Sequence, residues 1–144
     1  MKIVIGIDDS PHSRAALEYV KKATWPAGTQ IVLVTASVPL YAYVEMGGGS
    51  YMAEAQDQQI KRDEELAARL ERELRDSGLK TTAKVLFGDP REALIETARV
   101  EGADLLVVGS HGRTGFDKLL MGSVASHVVT HAPCNVLVVK LPRR

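Results

Sequence analysis

Cysteine occurs once in the 144 residues, at Cys134, which excludes a disulfide framework within one chain and suits a reducing compartment. Net charge is missing too, because 18 Lys and Arg balance 18 Asp and Glu. Such a chain has no global pull toward DNA, RNA or an anionic membrane, so neither a nucleic-acid nor a membrane partner is expected. Long apolar runs are lacking. The opening stretch carries only Ile3–Ile7, interrupted by Gly6 and ended by Asp8-Asp9. That is too short for a signal-peptide core or a membrane span, and the expected location is the cytoplasm. Two phosphate signatures are absent. There is no G-x-x-x-x-G-K-[ST], hence no P-loop lysine, and no G-x-G-x-x-G after the first strand. No internal repeat or low-complexity tract appears.

What is present is ordinary for one globular domain spanning residues 1–144, with 45% hydrophobic and 25% charged residues. Ile3–Ile7 is apolar without alternation, which predicts a strand buried on both faces. Ser10-Pro11 supplies an N-cap and a first-turn proline, with Ala15, Ala16, Tyr19, Val20 and Ala23 at helical spacing behind it. Ile31–Ala36 predicts a second strand. Pro39–Ser50, with Gly47-Gly48-Gly49, predicts a mobile surface loop. Tyr51–Ser77 predicts a long helix with a Leu66, Leu70, Leu74 stripe, closed by Gly78. Thr81–Phe87 alternates most, which places it near an edge. Asp89-Pro90-Arg91-Glu92 opens a third helix with a capping box, and Gly102 ends it. Leu105–Val108 is a fourth strand, Ser123–Thr130 a short helix and Val136–Val139 a last strand. The alternation of strands and helices predicts a doubly wound parallel α/β sheet with helices on both faces.

In such a sheet the ligand crevice lies beyond the carboxyl ends of the strands, where the winding reverses. A reversal between strands one and four brings together Asp8-Asp9-Ser10 and Gly109-Ser110-His111-Gly112-Arg113-Thr114-Gly115. Gly109, Gly112 and Gly115 are expected to take positive φ and let the backbone approach a ligand. Gly122-Ser123 then starts a helix whose free N–H groups and positive dipole end suit an anion. Arg113 adds a cation. A flexible loop beside a well-capped helix has the same glycine content, so the glycines alone leave both readings open.

The spacing Gly109-x2-Gly112-x9-Gly122-Ser123 resembles the G-x2-G-x9-G-[ST] motif of the universal stress protein family, in its ATP-binding branch. The likeness covers the whole chain through Ile7-Asp8-Asp9-Ser10, the Gly109–Gly115 run, Met121-Gly122-Ser123-Val124 and Cys134–Val139. Asp9 stands where many members have Gly, and Asn135 where many have Pro. The resemblance implies an adenine-nucleotide alpha-hydrolase-like fold with strand order 3-2-1-4-5. It implies that Asp8 lies by ribose and phosphates, that Gly6 and Ile7 line the adenine side, and that the Ala36 main chain reads the adenine edge. Gly109 falls on the ribose side. Gly112, Arg113, Gly122, Ser123 and Val124 form the phosphate cradle, with Ser110, His111, Thr114 and Gly115 in the same loop. The implied cofactors are ATP and Mg²⁺ or Mn²⁺. In this order Val136, Leu137, Val138 and Val139 form an apolar edge, which predicts a homodimer through that strand.

The expected function is a nucleotide-dependent switch or sensor in stress response, with binding ordering residues 39–50 and 109–122. One alternative is a slow ATPase or autophosphorylating enzyme using Asp8, a metal and Ser110, Thr114 or Ser123. The other is a nucleotide-free structural dimer. His127, His131 and Cys134 have the spacing of a weak zinc set, but they read first as a helix end followed by a buried cysteine. The leucine stripe reads as core. Gly122→Val is expected to fill the phosphate space.

Overall fold

The computed structural model describes residues 1–38, 49–112 and 120–142. Five strands and four helices alternate along it. They are β1 (Lys2–Gly6), α1 (Pro11–Lys22), β2 (Gln30–Ser37), α2 (Gly49–Asp76), β3 (Lys80–Phe87), α3 (Pro90–Glu101), β4 (Leu105–Gly109), α4 (Ser123–His131) and β5 (Asn135–Val139). The sheet is all parallel in the order β3-β2-β1-β4-β5. β1 is therefore central, and β3 and β5 are the edges.

The unbroken apolar character of β1 follows from this position. Ile3, Val4 and Ile5 are all fully buried, and alternate residues point into two different cores. Ile3, Ile5 and Ile7 join Ile31 and Leu33 under Leu17 and Val20 of α1 and Leu66, Leu70 and Leu74 of α2. Val4 joins Val32, Val34, Leu106 and Val108 under Leu94 of α3 and Val128 of α4. The leucine stripe is thus core, and each such side chain contributes about 1.5–3 kcal/mol by leaving water.

The helix ends obey their local chemistry. Ser10 caps α1 by accepting from the Ser13 N–H, with Pro11 in the first turn. Asp89 caps α3 by accepting from the Arg91 N–H, and Gly102 closes that helix at φ 60°. Glu92 departs from the expected capping box, since its carboxylate lies 3.2 Å from His127 Nε2 on α4. The predicted loop 39–50 ends earlier than expected, because α2 begins at Gly49; its residues 39–48 lie outside the described residues. On the surface, Glu73 of α2 receives hydrogen bonds from Arg14 Nη2 at 2.6 Å and Lys21 Nζ at 2.7 Å of α1. These two cations hold its carboxyl down to about 2. Among the described residues, no helix is long and apolar enough to cross a membrane.

Candidate functional site

β2 lies on one side of β1 and β4 on the other, so the connections leaving β1 and β4 diverge at the carboxyl end of the sheet. A cavity of about 540 Å³ opens there. One end is apolar, lined by Ile7, Val34, Ala36, Val38, Pro90, Leu94 and Val108. The other end is built from Asp8, Gly109, His111, Gly112, Gly122, Ser123, Val124 and Ala125. An apolar slot continuing into a polar end suits a ligand with a flat ring and an anionic tail.

The anionic end rests on α4. Its first intrahelical bond runs from the Ser126 N–H to the Gly122 carbonyl, so the amides of Ser123, Val124 and Ala125 precede the helical ladder. Gly122 brings no side-chain cap. α1 and α3, by contrast, are capped by Ser10 and Asp89. The Asp89 carboxyl is held below its usual range by the Arg91 guanidinium and N–H. Of the starts of α1, α3 and α4, only that of α4 lacks a side-chain cap, and its first three residues line the cavity.

Asp8 has two tasks. Its Oδ1 accepts from the Ser10 N–H at 2.9 Å, while its own N–H donates to Ser13 Oγ at 2.9 Å. These bonds shape the turn into α1. The second oxygen, Oδ2, lies toward Gly112, where an added Cβ would sit 3.2 Å from it.

The glycines of this end owe their identity to space. Positive φ occurs at Gly28, Gly78, Gly88 and Gly102, and at neither Gly109 nor Gly112, contrary to expectation. A Cβ on Gly109 would lie 2.6 Å from the carbonyl carbon and oxygen of His12, so the first turn of α1 packs directly on the end of β4. A Cβ on Gly122 would lie 3.1 Å from His111 Cα and 3.2 Å from the Ser110 oxygen. Gly122 therefore admits the β4 turn, to which its N–H donates at 2.7 Å. Gly122→Val would push on that turn, which corrects the expectation that its side chain would simply fill phosphate space.

Comparison with known sequences decides the family. The profile of the Universal stress protein family matches residues 1–140. The chain belongs to the universal stress protein family. A relative from Thermus aquaticus, the universal stress protein in the QAH/OAS sulfhydrylase 3′ region, is 31% identical over 139 residues, covering 96% of this chain and 97% of that one. A shorter match to the universal stress protein MJ0531 of Methanocaldococcus jannaschii is 43% identical over 67 residues, 46% of this chain and 39% of that protein. Two solved structures share the fold. The hypothetical protein MJ0577, described in a structure-based assignment of biochemical function, has a TM-score of 0.88 at 27% identity, covering 99% of this chain and 97% of that one. A universal stress protein in complex with cAMP has a TM-score of 0.60 at 25% identity, with coverage of 96% and 95%.

In this universal stress protein, Gly6, Ile7, Asp8, Ala36, Gly109, His111, Gly112, Gly122, Ser123 and Val124 all line the cavity. Ser110 does not. It is buried behind the wall, at 2% exposure, between two imidazoles. Arg113, Thr114 and Gly115 lie outside the described residues. Sequence reasoning missed Ser13 and the apolar lining of Val34, Val38, Pro90, Leu94, Val108 and Ala125. Those residue types are the ones a buried core uses, so no local signal separates them. It also missed His12, whose Nδ1 lies 3.3 Å from Ser110 Oγ. The H-x3-H-x2-C spacing forms no metal centre. The rings of His127 and His131 lie 4.4 Å apart, tilted by 44°, and among the described residues no group of three His, Cys, Asp or Glu could hold a metal ion. Burial raises the pKa of the Cys134 thiol, as suits an inert packed sulfur.

Proposed function

We propose that this protein binds ATP in the cavity at the carboxyl end of its sheet and acts as a nucleotide-dependent switch or sensor in stress response. The observation that carries the reading is the open start of α4, whose first-turn residues Ser123, Val124 and Ala125 line the polar end without a side-chain cap. Backbone amides and the helix dipole there supply the field that a phosphate chain needs. Gly6, Ile7 and Ala36 line the slot for adenine, and Gly109 and Asp8 lie toward ribose. The cAMP complex of a similar protein supports an adenine ligand in this fold.

Mg²⁺ or Mn²⁺ fits the same end. Asp8 offers a hard oxygen donor whose first oxygen already serves the turn. A hard cation of this kind takes one or two carboxylates and fills its remaining positions with phosphate oxygens and water. When bound, the ion would neutralise the charge that Asp8 otherwise presents to the phosphates.

β5 supports the expectation of a homodimer. It is an edge strand, and Val136, Leu137, Val138 and Val139 are each only half-buried. Antiparallel pairing with a two-fold mate would cover this edge. The balanced charge supports a role without nucleic-acid or membrane partners, and the single cysteine supports a reducing compartment such as the cytoplasm.

The test is to denature freshly purified protein, chromatograph any released nucleotide, and titrate apo-protein with ATP and Mg²⁺ in a calorimeter. Intact ATP in the released fraction and saturable binding are expected. No released nucleotide, no binding heat and no thermal shift would overturn the reading. ADP accumulating under excess ATP would replace the switch with a slow ATPase.

A further inference from the structure

Ser13 lines the cavity although it is only 5% exposed, and its hydroxyl has one capacity left unused. It sits in the first turn of α1, where its backbone N–H donates to the Ser10 cap at 3.1 Å. Its Oγ receives the Asp8 N–H at 2.9 Å. A main-chain N–H only donates, so the direction of that bond is fixed and Oγ is the acceptor. The hydroxyl proton remains to be given elsewhere. In a helix such a proton often goes to a carbonyl one turn back, as Thr130 Oγ1 donates to the Ser126 carbonyl at 3.0 Å. Ser13 makes no such bond, and no described residue takes its proton. A buried donor without an acceptor is costly, and the space beside this one is the cavity.

The neighbouring side chain is of the opposite kind. Asp8 Oδ1 is taken by the Ser10 N–H, while Oδ2 has no hydrogen bond among the described residues and lies toward Gly112. A carboxylate oxygen accepts. Ser13 and Asp8 thus offer the cavity one donor and one acceptor from adjoining positions in its wall. A phosphate oxygen could take the serine proton but has none to give, and it would face the charge of the carboxylate. An alcohol does both, accepting one hydrogen bond and donating another. With adenine at the apolar end and phosphates at the start of α4, the group left beside Asp8 is the sugar.

We propose that Ser13 is a specificity-determining residue: its hydroxyl donates to a ribose hydroxyl of the bound nucleotide, and that hydroxyl donates in turn to Asp8 Oδ2, so that the cavity selects nucleotides carrying it. The Asp8 N–H supports the arrangement by fixing Oγ and leaving only the proton for the ligand. The ribose contact rests on the nucleotide reading above, whereas the direction of the Asp8–Ser13 bond does not.

Calorimetric titration of wild type and Ser13→Ala with ATP, 2′-deoxy-ATP and 3′-deoxy-ATP, each with Mg²⁺, tests this. The two analogues tell which sugar hydroxyl is read. Wild type should bind one of them at least about tenfold more weakly than ATP, having lost one neutral and one charged hydrogen bond. Ser13→Ala should weaken ATP about fivefold, the worth of one neutral hydrogen bond, and weaken that same analogue less than about twofold. The backbone N–H that donates to Ser10 is kept in this variant, and hydrogen exchange at the Ser10 amide, which donates to Asp8 Oδ1, should match wild type. A wild type that binds ATP and both analogues alike would overturn the ribose contact and leave the cavity reading standing. So would Ser13→Ala with full ATP affinity, or with an equal loss for all three ligands. Lost protection at Ser10 would make Ser13 a support for Asp8 rather than a ligand contact, and overturn the proposal as well. A wild type that binds no adenine nucleotide would overturn it together with the cavity reading.

Discussion

Ser123→Asp separates a phosphate site from a merely well-formed helix start, because the two predict effects of opposite sign. Ser123 is the first residue of α4, exposed, and part of the polar end of the cavity. A carboxylate in the first turn of a helix interacts favourably with the dipole, by about 0.3–1 kcal/mol, so the fold should be as stable as the wild type or slightly more so. The same carboxylate would stand where the anionic tail of the ligand belongs. Two unit charges at about 4 Å repel by about 1 kcal/mol in bulk water and about 4 kcal/mol near a protein surface. With about 1.4 kcal/mol per tenfold, ATP affinity should fall at least about fivefold, and far more if the site is shielded. The assay is calorimetric titration with ATP and Mg²⁺ at low ionic strength, paired with urea denaturation of the apo-protein. Unchanged affinity in a variant of unchanged stability would refute the placement of phosphates at α4. Ser123→Ala is the control, losing one hydroxyl donor and no more than about tenfold in affinity.

Glu73→Gln tests the ion cluster between α1 and α2. The carboxyl of Glu73 is held down to about 2 by Arg14 and Lys21, so its contribution is present above the unfolded-state value and lost as pH falls from about 4.5 to about 2. After discounting for solvent screening, the variant should lose about 1 kcal/mol at pH 7 and show a flatter stability profile below pH 5 by urea denaturation. An acid limb identical to the wild type would remove Glu73 from the account. Gly109→Ala should cost about 1–3 kcal/mol, because the added carbon meets the His12 backbone at 2.6 Å. A loss under 0.5 kcal/mol in the same assay would show that α1 yields easily. Ala36→Phe should fill the apolar end of the cavity and abolish ATP binding while leaving the melting temperature within a few degrees of wild type; retained affinity would move adenine elsewhere.

Much of the fold could be read from short-range chemistry. Ser10-Pro11, Asp89-Pro90 and Gly102 mark helix ends because caps, prolines and left-handed residues act over a few positions. The unbroken run Ile3–Ile5 marked β1 as buried on both faces, since alternate side chains enter two cores. The strand order is different in kind. It depends on which strands pair across the chain, and spacing alone left it to the family resemblance. The candidate site divides the same way. Its glycine pattern was visible, but its cause was not: Gly109 answers to His12, almost a hundred positions earlier, rather than to its own φ. His12 gave no sign beside the Ser10 cap because its partner, Ser110, is 98 residues away. The apolar wall of Val34, Leu94 and Val108 reads as core in any sequence, and these side chains are indeed buried while also lining the slot.

The most direct measurement is an amide titration by proton–nitrogen NMR with ATP and Mg²⁺. The account predicts concerted, saturable shifts at Gly6, Ile7, Ala36, Gly109, Gly112 and the α4 start from Gly122 to Ala125, with the largest at Ser123–Ala125. It predicts no more than small changes along Lys80–Ala83, at the far end of the β3 edge. ATP that shifts none of these amides, or shifts a different surface, would contradict it.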